Sequence, residues 1–151
     1  MAKRRTKTSR AAAERTYWGA DIPMREIRRF ARAVAEKFRP DKIILFGSYA
    51  YGTPHADSDV DILVIMPAYN QLSMAARIDI AIDPSFPLDI IVRTPKNLKW
   101  RLEEGELFHT EIVSKGKVLY DKESRARRRT ARRLLLQVGA RAHAGLIRSS
   151  G

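Results

Sequence analysis

Apolar side chains return at Ile27, Phe30, Ala31, Val34 and Phe38, a spacing that gathers them on one side of a helix over residues 23–38. Asp21 and Pro23 supply its start signals and Pro40 its stop. Three short runs then change the period. Residues 42–46, 59–66 and 88–92 are dense in Ile, Val and Leu, which predicts three strands. Residues 68–82, with Leu72, Ala75, Ala76 and Asp79 on neighbouring turns, predict a helix between the second and third strands, broken by Asp83-Pro84. Residues 97–104 and 106–114 read as two short helices parted by Gly105. A Lys115-Gly116 turn leads to a small edge strand at 118–120. The Arg/Ala/Leu-rich remainder predicts a basic helix over 124–138.

The connections decide the topology. A helix of that length joins the second strand to the third, so these two run parallel and begin at the same edge of the sheet. The short loop after the first strand reaches the second only if that pair is antiparallel. Gly47 and Ser48, at the exit of the first strand, therefore land on the rim that carries Asp59 and Asp61 at the head of the second and Asp89 at the head of the third. The expected architecture is α/β, of the α+β kind: a mixed sheet of three or four strands flanked by helices. A glycine-serine turn lets backbone N–H groups and a hydroxyl approach phosphate oxygens. Aspartates at i and i+2 on a strand share a face and can hold a divalent cation between them. Ser48 also suits the start of a short helix, whose N-terminus itself favours phosphate.

The formal net charge of +12 hides a division along the chain. Residues 1–20 carry +5 and residues 122–151 carry +8, whereas residues 21–121, with fourteen basic and fifteen acidic side chains, carry −1. Three parts are expected: a basic flexible arm at 1–20, a globular domain at 21–121, and a basic, partly helical tail at 122–151. Such ends suit nucleic acid or an acidic partner, and equally suit plain solvation. The absence of cysteine excludes disulfides, cysteine-held zinc and thiol nucleophiles, and agrees with a cytoplasmic location. No apolar stretch is long enough for a membrane span, and no apolar run follows the basic N-terminus as in a secretory signal.

Gly47-Ser48, ten residues, Asp59-Val60-Asp61 and then Asp89 at the head of the next strand resemble the motif of the minimal nucleotidyltransferases. These form a branch of the DNA polymerase β-like superfamily, found mostly in bacteria and archaea. The flanking Ile-Leu-Phe-Gly-Ser and Ser-Asp-Val-Asp-Ile-Leu-Val agree as well, and the resemblance covers residues of about 22–120. It implies transfer of a nucleoside monophosphate from ATP or another nucleoside triphosphate to a hydroxyl, with release of pyrophosphate. It further implies that Asp59, Asp61 and Asp89 bind Mg²⁺, as two ions, and that Asp89 helps to deprotonate the attacking hydroxyl. Gly47 and Ser48 would hold the β- and γ-phosphates. Tyr51 stands where relatives often carry arginine or lysine, which takes one cationic contact away from the triphosphate. Many such proteins act as antitoxins beside a HEPN-domain toxin, adding AMP to a tyrosine of that ribonuclease, so the resemblance implies a HEPN-type partner. Two other readings stay open: a non-catalytic antitoxin or binding module, and a nucleotidyltransferase directed to RNA through the basic ends.

Other candidates are weaker. His55 reads as an exposed loop histidine, His109 as a packing or surface residue beside Phe108, and Trp18 and Trp100 as core or interface aromatics. Arg77 and Arg93 are not assigned to phosphate.

Overall fold

The computed structural model describes residues 22–148. The arm at 1–20, with Trp18, and the start signal Asp21 lie outside the described residues. The first helix, α1 (Met24–Phe38), buries Ile27, Phe30, Ala31, Val34 and Ala35, the stripe that its sequence spacing predicts. Pro23 precedes it, and Arg39 in a left-handed conformation ends it one residue before Pro40. Then come β1 (Lys42–Phe46), a single helical turn α2 (Ser48–Tyr51) and β2 (Val60–Ile65). The crossover helix α3 (Gln71–Ile82) leads to β3 (Leu88–Arg93). Two short helices, α4 (Pro95–Glu103) and α5 (Leu107–Lys115), precede β4 (Lys117–Asp121).

The sheet has four strands in the order β3-β2-β1-β4. β1 and β2 are antiparallel, β2 and β3 parallel, as the loop lengths require. Alternation along the strands splits the apolar set between two faces. Ile43, Leu45, Val60, Ile62 and Val64 pack with Ile27, Phe30 and Val34 of α1 and Ala75 and Ile78 of α3. Ile44, Phe46, Leu63 and Ile65 pack with Leu98 of α4 and Ile112 of α5. β2 is thus covered on both sides, which is why Ile62 to Ile65 form an unbroken apolar run. Every buried apolar side chain of both clusters belongs to residues 22–112.

Boundaries differ from the sequence reading in informative places. The crossover helix begins at Gln71 rather than 68, because the Asn70 side chain accepts the Ser73 amide at 2.9 Å and sets the start. The C-terminal helix α6 (Lys122–Arg148) does not stop at 138. Gly139 costs it about 1 kcal/mol, but the alanines at 140, 142 and 144 that follow are the best helix formers. The described residues divide into two compact units between Tyr120 and Asp121, and α6 makes up most of the second. Its first turn is closed by Asp121, whose carboxylate accepts the amides of Glu123 (3.0 Å) and Ser124 (3.4 Å). Among the described residues no helix is long and apolar enough to cross a membrane.

Candidate active site

Strand register assembles the rim. Asp61 lies directly across the parallel pair from Asp89, and directly across the antiparallel pair from Phe46. Directly opposed residues project to the same face, so Asp61, Asp89 and the Phe46 ring share the side of the sheet that packs on α4 and α5. Asp59, two residues before Asp61, precedes the strand, and the Val60 amide that separates them donates to Pro87 O at 3.0 Å.

Gly47 closes the other side of the site. Its φ of +70° with ψ of −159° is a region that only glycine occupies readily. It leads into α2, where the amides of Ala50 and Tyr51 donate to Gly47 O at 3.0 and 3.1 Å. The first amides of a helical turn have no carbonyl within the helix to meet, and a helix start of this kind favours an anion. A β-carbon built on Gly47 would run into the Asp61 carboxylate, whose Cγ would stand 3.1 Å away. The bare backbone of the turn is therefore what lets the carboxylate sit against it.

Electrostatics marks Asp61 within the acidic trio. Its carboxyl is pushed up to about 6, first by burial, then by the charge of Asp89, then by that of Asp59. Both other carboxylates are thus close enough to be felt, while Asp89 and Asp59 themselves are exposed. Among the described residues no three acidic or histidine side chains converge tightly enough to enclose an ion by themselves. The donor chemistry nevertheless fits a hard divalent cation: oxygens only, mutually repelling, with one carboxylate pressed toward neutrality by burial and by its two acidic neighbours.

One shaping residue is absent from the sequence reading. Ser58, immediately before Asp59, is buried, and its hydroxyl accepts the His55 amide at 2.9 Å and meets His55 Nδ1 at 2.8 Å. Ser58 N–H returns a bond to His55 O at 2.8 Å, which folds the loop into a tight turn ahead of the carboxylates. A serine three residues after a histidine, in a loop with Gly52 and Pro54, carries that signal weakly. Arg93 is engaged elsewhere: Nε donates to His109 Nε2 at 3.1 Å and a terminal nitrogen to Val92 O at 2.9 Å, at the end of β3 away from Asp89. His109 is 1 % exposed, a core histidine rather than a surface one.

A mixed sheet, a glycine turn and rim carboxylates in this arrangement suit nucleotidyl transfer. Residues 27–119 match the nucleotidyltransferase domain family, and the chain belongs to it. A protein of Methanocaldococcus jannaschii, provisionally named protein adenylyltransferase MJ0604, is 30% identical over 100 residues, spanning 62% of this chain and 94% of its own length. Solved structures with likeness to the chain include a provisionally named nucleotidyltransferase from Sulfolobus solfataricus (TM-score 0.45, 16% identity, 75% of this chain and 88% of that one). A toxin–antitoxin structure with AMP-PNP is similar at TM-score 0.41 and 21% identity, over 83% and 95% of the two chains. A tri-AMPylated Shewanella oneidensis HEPN toxin in complex with its MNT antitoxin gives TM-score 0.34 and 17% identity, over 91% and 94%.

Proposed function

We propose that this enzyme transfers AMP from ATP to a hydroxyl of a partner protein, with Mg²⁺ at the acidic rim, and that the partner is a HEPN-type toxin which it restrains as an antitoxin. The observation that carries the reading is the seating of the Asp61 carboxylate against the Gly47 turn, since it unites a cation-seeking group with an anion-seeking one. The Methanocaldococcus jannaschii relative supports a protein as acceptor.

Asp59, Asp61 and Asp89 hold the metal in this proposal. When bound, Mg²⁺ neutralises the triphosphate and the charge that develops on the attacking and leaving oxygens. Gly47 and Ser48 grip the β- and γ-phosphates through backbone N–H groups and the Ser48 hydroxyl. Asp89, exposed at the head of β3, receives the proton of the incoming hydroxyl. A bond forms between that oxygen and the α-phosphorus, the bond to the bridging oxygen of the β-phosphate breaks, and pyrophosphate leaves. Burial and fixed donors matter more here than covalent help from the protein, because phosphoryl-type transfer is governed by alignment and charge.

The test uses purified chain, Mg²⁺ and ATP labelled at the α-phosphate, with a HEPN-type protein from the adjacent open reading frame, where there is one, as the acceptor toxin. Label should appear on the toxin, and Asp59→Asn should reduce it to background. Labelling that survives the substitution removes the reaction from this rim.

A further inference from the structure

We infer that Phe108 is the platform on which the base of the nucleotide stacks, which would make it the residue that favours a nucleotide over a bare triphosphate. The inference deepens the proposed function and rests on it.

A chain of direct neighbours leads from the carboxylates to this ring. Asp61 opposes Phe46 across the β1–β2 ladder, so the two side chains stand on one face about 5 Å apart at their β-carbons. The Phe46 ring is buried and meets Phe108 edge-on, with centroids 5.8 Å apart and planes at 87°. The His109 ring meets Phe108 in the same way, at 5.1 Å and 90°. Two perpendicular contacts hold the Phe108 ring in a fixed plane. Yet the residue is 47% exposed, an uncovered aromatic next to a site lined by charge.

That position suits a base. With the α-phosphate at Asp61, the ribose has to cross one residue of the ladder before the base can land; the aromatic there, Phe46, is buried, and the exposed ring against it is Phe108. None of the other three exposed aromatics among the described residues has such a ring contact leading to the carboxylates: Tyr69 follows the far end of β2 from Asp61. Tyr51 ends α2 on the phosphate side, and Trp100 lies on α4 with the Arg101 guanidinium 6.0 Å from its ring. An aromatic face stacks any base, so the platform supplies affinity and leaves the choice among bases to other contacts.

The test compares binding of Mg·ATP and Mg·tripolyphosphate to the full chain by calorimetry, for wild type, Phe108→Ala, Phe108→Leu and Phe108→Trp. Stacking is worth about 1–3 kcal/mol per base, so Phe108→Ala should weaken ATP binding by roughly 5- to 150-fold while tripolyphosphate binds unchanged. Phe108→Leu fills the contact with Phe46 but offers no aromatic face, so it should lose the same preference at near wild-type melting temperature. Phe108→Trp should keep it. ATP binding by the alanine and leucine variants at wild-type strength, or an equal loss for both ligands, overturns the platform. If wild type itself binds neither ligand, the nucleotidyl-transfer site falls together with it.

Discussion

Burial and two carboxylate neighbours raise Asp61 to about 6, far above the 3.8 of a free aspartate, and this has a definite sign in stability. The folded chain holds a proton that the unfolded chain has already lost, so without a cation this group's stabilisation is complete below 3.8 and disappears as pH rises through about 6. Asp61→Asn removes that dependence. Metal-free Asp61→Asn should therefore melt higher than wild type at pH 7.5 and lose this advantage near pH 4, as calorimetry at both pH values would reveal. Mg²⁺ should raise the melting temperature of wild type at pH 7.5 and leave that of the variant nearly unmoved. Gly47 is the complementary test at this scale. Alanine there has to adopt a glycine-only backbone conformation, which costs about 1–3 kcal/mol. Its methyl group also displaces the Asp61 carboxylate, so Gly47→Ala should lower AMP transfer beyond what the loss of folded protein measured in a urea titration explains.

At the scale of elements, a polar network fastens α4, α5 and β3 together. Arg101 donates to both oxygens of Glu106 at 3.0 and 2.9 Å, and its Nε donates to Asn97 at 2.9 Å. One Glu106 oxygen lies 3.1 Å from His109 Nδ1, off the line of a good hydrogen bond, while Arg93 donates to the other ring nitrogen. The imidazole is held below its ordinary range first by burial and also by the Arg93 and Arg101 charges, with Glu106 opposing them. It is neutral, as its acceptance from Arg93 demands. His109→Ala empties a core position and strands Arg93, at a cost of about 2–3 kcal/mol in chemical denaturation. Because the folded ring resists protonation, its part of the stability should be lost as pH falls below 6.5, the reverse of the Asp61 effect, and His109→Gln should flatten that loss. Little of this network was legible in the sequence. The partners of His109 are 3 and 16 residues away, on a turn and on a strand, and a lone histidine on a short helix gives no sign of which side it faces. By contrast, α1 followed from its helical spacing, and β1, β2 and β3 from short β-branched apolar runs bounded by turn residues.

Across the whole molecule, what could be read was connectivity, and what could not was lateral placement. Loop length fixed the antiparallel and parallel pairs, and with them the meeting of Gly47, Asp59, Asp61 and Asp89 at one rim. Nothing in residues 117–121 says that β4 lies beside β1; that follows from Gly116, where any side chain would strike Ile44 and backbone carbonyls of α5 and β1. Nor does composition say what the basic ends do. Both core clusters and every proposed site residue lie within residues 22–120, whereas the excess charge of +5 and +8 belongs to 1–20 and 122–151. Fold and nucleotide site on one side, and polyanion affinity on the other, should therefore separate by truncation. A chain of residues 21–121, net −1, should melt within a few degrees of the full chain and bind Mg·ATP equally well. The full chain should bind single-stranded RNA with an affinity that falls steeply as salt rises, since each neutralised phosphate adds about −0.7 to the slope of log K against log salt. The truncated chain should show neither that affinity nor that slope. RNA binding that persists after truncation would move the polyanion site onto the neutral domain, and with it the choice between a protein and an RNA acceptor.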